Sequence, residues 1–228
     1  MPTAPRRTLA GVLAGAAALL LGSAGCVRLD EASAADITRG DPVSTLAAQL
    51  AGGSAISYTA TYQVSGGGTA TITRAQRPAR TAYVYPGGRL IVTSTATIRC
   101  QGGNKAPTCV ESAPDPAAAT NLPRTSLITP EAVLEMLNAA AFDPDVTTTQ
   151  HDTTIAGRHA TCLGLSDVSG IEIAKFDVCV TNEGALASFA ATIDDKRTDL
   201  ALTAYSEQVT GEAFTLPPTA KVTDKRPR

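Results

Sequence analysis

The chain begins with Arg6 and Arg7, which are followed by an apolar segment from Leu9 to Cys26. No charged residue interrupts this segment, and the next charge is Arg28. The segment is shorter than the roughly 20 apolar residues that a membrane-spanning helix needs, and it closes on small residues, which is typical of a signal peptide. We therefore predict that residues 1–25 are a signal peptide and that the remainder folds outside the cytoplasm.

The four residues from Ser23 to Cys26 resemble the lipobox of bacterial lipoproteins, although Ser23 stands where Leu or Val is usual. This resemblance implies that Cys26 becomes the first residue of the mature chain and carries acyl chains. An ordinary cleavage site and an uncleaved anchor are the alternatives, and the export route stays open between the Sec and twin-arginine pathways. We expect a protein that is lipid-anchored on the extracytoplasmic face of the cell membrane, with residues 26–40 as its lipidated end and tether.

The four cysteines after Cys26 form an even set, which in an exported chain indicates disulfides. Four cysteines allow three pairings, and proximity in sequence favours Cys100–Cys109 and Cys162–Cys179. A zinc site that uses His159 and Cys162 is the alternative, but an oxidising compartment and the lack of a CxxC pair disfavour it. We predict no metal site and no cofactor.

Charge argues against nucleic acid as a partner. Without the two arginines of the signal, 21 acidic residues outnumber 17 basic ones, so the net charge gives no electrostatic reason to bind nucleic acid. The length after the signal suits one domain.

Alternation of apolar and polar residues predicts strands, beginning at 56–64, where Ile, Tyr, Ala and Val alternate with Ser, Thr and Gln. Two helices interrupt the strands: a short one after Asp41-Pro42 that stops at Gly52-Gly53, and a longer amphipathic one after Thr129-Pro130. Residues 111–125 lack periodicity and are predicted to be a surface segment.

The second cysteine pair sets a testable register. If Cys162 lies opposite Cys179 in an antiparallel pair, Leu163 faces Val178 on the face opposite the disulfide, as a half-buried sheet requires. A change of phase at 173–174 predicts a β-bulge near the tip of this hairpin.

The order of elements, the phrase ARTAYVYPGGRLIV and the closing FTLPP resemble the LolA/LppX-like lipoprotein carriers. The resemblance implies an α+β fold: a strongly curved antiparallel sheet, or unclosed half-barrel, with one long and one short helix on its concave side. It places this single domain at residues 41–222, with residues 223–228 as a tail. In some members the hollow binds acyl chains.

These observations favour an envelope lipoprotein that binds a hydrophobic ligand. Its partners would be the membrane, through the N-terminal lipid, and an acyl or lipid ligand. The alternatives are a helix and sheet packed without a cavity, and a tethered interaction or sensor module that engages an envelope protein. The predicted ligand contacts are Tyr58, Tyr62, Val64, Ile72, Leu134 and Leu137.

We predict no enzymatic activity and no catalytic residues. His151 and Asp152 are adjacent, and adjacent side chains on a strand point to opposite faces. No GxSxG, HExxH or phosphate-loop motif is present.

Overall fold

The computed structural model describes residues 41–102, 106–122, 127–193 and 195–227. The predicted signal peptide, Cys26 and the tether lie outside these residues. Residues Arg39–Arg228 form one compact unit, and the described core and both disulfides lie inside it. This unit therefore contains the described contacts that stabilise the fold.

The described residues form two α-helices and twelve β-strands, joined by turns and short 3₁₀ segments. The helices are α1 (Pro42–Gly52) and α2 (Pro130–Ala141). The strands of the first half are β1 (Tyr58–Val64), β2 (Gly68–Gln76), β3 (Ala79–Tyr85), β4 (Gly88–Thr93), β5 (Thr97–Gln101) and β6 (Thr108–Ser112). Those of the second half are β7 (Thr147–Ile155), β8 (Arg158–Ser166), β9 (Phe176–Thr181), β10 (Leu186–Ile193), β11 (Lys196–Ser206) and β12 (Lys221–Asp224).

All twelve strands belong to one sheet in the order β12-β6-β5-β4-β3-β2-β1-β11-β10-β9-β8-β7. The pairs are antiparallel except β12 with β6, which is parallel. The two end strands do not pair with each other, so the sheet does not close. The predicted α+β fold with an unclosed half-barrel is confirmed.

Helix α1 begins where the sequence predicts, because the Asp41 carboxylate accepts hydrogen bonds from the backbone N–H groups of Val43 and Ser44. Burial of Asp41 opposes its charged form, but these bonds and that from the Ser44 hydroxyl hold the pKa of Asp41 below its ordinary value. Helix α2 begins in the same way, with the Thr129 hydroxyl accepting from the backbone N–H of Ala132.

The predicted register of β8 with β9 is confirmed. Cys162 lies opposite Cys179 and Leu163 opposite Val178, and the structure contains the Cys162–Cys179 and Cys100–Cys109 disulfides. The predicted bulge is wrong: pairing ends at Leu165 with Phe176, and residues 167–175 form a loop.

The main core lies on the concave face of the sheet, where both helices pack. The predicted surface segment at 111–125 is partly wrong, because Ala118, Ala119 and Leu122 belong to this core. Their apolar side chains are too few to show periodicity, and they reach the core through a 3₁₀ turn at 116–119.

The C-terminal segment crosses the outer face of β3 and β4 before it joins β6. The Arg80 guanidinium lies 4.1 Å from the ring centroid of Phe214, and Arg89 donates to the Thr215 carbonyl at 2.6 Å. Strand β12 extends to Asp224, two residues beyond the predicted boundary at 222. Ile91, on the same face of β4 as Arg89, is buried.

Candidate ligand site beneath the two helices

The structure brings the predicted ligand residues together on the concave face. All but one are buried in the core beneath α1 and α2, and Leu134 of α2 is half-buried at its margin. The buried members are Tyr58, Tyr62, Val64, Ile72 and Leu137.

A cavity of about 90 Å³ lies between the C-terminal end of α1 and the first turns of α2. Of the predicted residues, Tyr58 and Leu134 line it, together with Leu50, Ala51, Gly53, Ser54, Arg74, Pro130 and Glu131. Sites for small molecules are usually about 300–1,000 Å³. An acyl chain therefore fits only if the helices move away from the sheet.

A buried ion pair joins α2 to the sheet at this cavity. Arg74 of β2 pairs with Glu131 in the first turn of α2, and the Tyr83 hydroxyl of β3 donates to the same Glu131 Oε1 at 2.7 Å. The side chains of Arg74 and Glu131 are only 12% and 27% exposed. Water screens this pair far less than it screens a surface pair.

The sequence prediction missed this cluster. Arg74 continues the inward alternation of Ala70 and Ile72 on β2, so its inward direction could be read from the pattern. Glu131 occupies the polar side of the α2 stripe, where a carboxylate ordinarily faces water. Only the tertiary structure places the two charges together.

The phenols around the pair are held in their neutral form. Burial, with the charge of Glu131 adding to it, raises the pKa of Tyr58 to about 12, although Arg74 opposes the shift. Burial likewise raises the pKa of Tyr62 and of Tyr83 well above the ordinary value. Burial opposes the charged form of Arg74, but Glu131 outweighs it and raises the pKa of Arg74. These hydroxyl groups therefore remain available as donors.

Tyr58 also contacts a group of aromatic and charged side chains from the second half of the sheet. Tyr205 of β11 stacks on Tyr58 with ring centroids 5.6 Å apart, and the Arg158 guanidinium lies 4.6 Å from the Tyr205 ring centroid. Arg158 also pairs with Glu183 at 2.9 Å. The apolar interior thus has a margin of aromatic rings and paired charges.

The two histidines lie on neighbouring strands, His151 on β7 and His159 on β8. His151 lies opposite Cys162, and Asp152 accepts a hydrogen bond from the Thr161 hydroxyl at 2.9 Å. The described residues contain no group of three or more His, Cys, Asp or Glu side chains that could hold a metal ion. Neither α1 nor α2, the helices described, has the length and apolar character that a membrane crossing requires.

No protein-family model matches this sequence, and no curated protein matches it. Solved structures do match. An uncharacterized conserved protein from Thermus thermophilus is 12% identical with a TM-score of 0.49, over 81% of this chain and 100% of that one.

Two further matches are lower in TM-score. The lipoprotein LppX of Mycobacterium tuberculosis is 14% identical with a TM-score of 0.40, over 75% of this chain and 99% of that one. MucB, solved in complex with MucA(peri), is 12% identical with a TM-score of 0.46, over 79% of this chain and 62% of that one.

Proposed function

We propose that this chain is a cell-envelope lipoprotein, anchored through a lipid on Cys26, whose half-barrel binds a hydrophobic ligand between the sheet and the two helices. The observation that carries the proposal is the apolar concave face on which the two short helices pack, with the half-buried Arg74–Glu131 pair at its margin. An acyl site needs an apolar lining and a few polar groups that orient the ligand.

Few polar contacts join the helices to the sheet. Glu131 ties α2 to β2 and β3, and Gln49 Nε2 of α1 donates to the Thr181 carbonyl at 2.7 Å. When the helices move outward, an acyl chain can replace the apolar contacts between helix and sheet. The apolar surface then stays out of water, and the main cost of opening is the loss of these polar contacts.

Native mass spectrometry of residues 39–228, produced in an oxidising compartment and incubated with membrane lipids, tests the proposal. We expect a bound species heavier by the mass of a lipid. Leu134→Trp should reduce the bound fraction, because the indole fills the cavity between the helices. Asn138→Trp is the matched control, because Asn138 is exposed one turn further along α2. A bare mass for the unsubstituted protein in every lipid mixture would contradict the proposal.

A second candidate function rests on strand β7, which is one end of the sheet and has nine mostly exposed residues. Such an edge can accept an extended segment of another protein by strand addition. If the protein is a tethered interaction module of this kind, the spectra just described should show only the mass of the protein without lipid. The helices should then stay packed on the sheet.

A further inference from the structure

Two side chains that line the cavity between the helices carry polar atoms for which the fold supplies no partner. Among the described residues, Arg74 Nε and Glu131 Oε2 are buried and make no hydrogen bond, although both side chains line the cavity. Arg74 and the Tyr83 hydroxyl both donate to the other carboxylate oxygen of Glu131, Oε1. Buried polar groups are nearly always hydrogen-bonded in folded proteins, so an unpartnered donor and an unpartnered acceptor on two ion-paired side chains mark a place for a further group.

The chemistry of these two atoms restricts that group. Arg74 Nε is a donor and Glu131 Oε2 is an acceptor, and the two side chains together carry no net charge. A hydroxyl group satisfies both atoms, because it accepts from the guanidinium and donates to the carboxylate. A ligand carboxylate or phosphate would bring its own negative charge next to Glu131 Oε2, where burial strengthens the repulsion.

A third unpartnered group lies on the same face of the sheet, outside the lining of the cavity. Tyr62 is four residues from Tyr58 along β1, and its buried hydroxyl makes no hydrogen bond to the described residues. Because Tyr62 is neutral, its hydroxyl can donate to an ester carbonyl that lies between a polar head and an acyl chain. The cavity of about 90 Å³ has room for several water-sized groups.

We infer that the site selects an acyl ligand with a neutral head that carries a hydroxyl group, of the acylglycerol type, over a free fatty acid. This inference rests on the proposed function and adds to it the class of the ligand head.

The test is a competition followed by native mass spectrometry. Residues 39–228 are mixed with equal amounts of 1-monooleoylglycerol, oleate and methyl oleate, which share one acyl chain and differ in the head. We expect 1-monooleoylglycerol to exceed each competitor about tenfold in the bound fraction, the factor that one hydrogen bond to a charged group contributes. Glu131→Gln removes the negative charge and should bring bound oleate to within about twofold of 1-monooleoylglycerol.

Glu135→Gln is the control, because it makes the same change one turn further along α2 at an exposed position. It should retain the tenfold preference. Equal binding of the three ligands, or a preference for oleate in the unsubstituted protein, would overturn the inference and leave the acyl site intact. Absence of all three ligands would instead contradict the proposed function. The comparison of heads in the unsubstituted protein stands even if Glu131→Gln fails to fold.

Discussion

The ion pair between Arg74 and Glu131 should contribute far more to the free energy of unfolding than an exposed pair. Arg74→Met leaves Glu131 without its guanidinium in a site where its side chain is only 27% exposed. Removing one partner of a fully buried pair costs about 3–5 kcal/mol. Because Glu131 keeps some exposure and the bond from Tyr83, we expect a loss of about 2–3 kcal/mol.

A double-mutant cycle isolates the interaction between the two side chains. The variants are Arg74→Met, Glu131→Gln and the double substitution, with unfolding by urea followed by circular dichroism. We expect a coupling free energy of about 2 kcal/mol, because the double variant leaves no unpaired charge.

Arg197→Met is the control, since the Arg197 and Asp199 side chains are 74% and 44% exposed. It should change the free energy of unfolding only marginally. A coupling free energy for Arg74 and Glu131 as small as this would refute the conclusion that the pair holds α2 to the sheet.

Three further predictions concern residues that stabilise the fold around the site. Gly53→Ala should destabilise the fold by more than about 2 kcal/mol, because the added Cβ atom would lie 2.1 Å from a carbonyl oxygen of the β9–β10 turn. Gly52→Ala is the control, since its Cβ atom would have no atom within 4 Å. Thermal unfolding of both variants checks this prediction. Replacing Cys162 and Cys179 together by Ala should lower the free energy of unfolding by about 3 kcal/mol, because the unfolded chain is no longer closed into a loop between the two cysteines. Urea unfolding measures this loss, and a value below about 1 kcal/mol would contradict the prediction. The lowered pKa of Asp41 stabilises the fold above about pH 4, and this contribution is lost as the pH falls through the folded-state pKa. Between pH 5 and pH 2, the Tm of Asp41→Asn should therefore drop less than that of the unsubstituted protein. Equal drops in the two proteins would argue against the cap.

Local patterns were sufficient to predict much of the frame. The caps at Asp41 and Thr129 depend on a few neighbouring residues, so both helix starts could be read directly. The register at Cys162 and Cys179 followed from the predicted disulfide and agreed with the alternation, since a shift of one residue would place every apolar side chain on the other face.

Features that depend on distant parts of the chain were missed. The parallel pairing of β12 with β6 joins residues more than 100 positions apart, and nothing in its exposed, polar sequence marks it as a strand. The same holds for Arg74 and Glu131, which are 57 positions apart. Each is an ordinary surface residue by type, and only the packing of α2 on β2 buries the two together.

The central claim is that α2 moves away from the sheet when a ligand enters. The distance between spin labels at Asn138→Cys on α2 and Ala201→Cys on β11, both at exposed positions, can be measured by double electron–electron resonance with and without 1-monooleoylglycerol. We expect this distance to increase by several ångströms on binding. An unchanged distance in a sample whose bound ligand is verified by native mass spectrometry would contradict it.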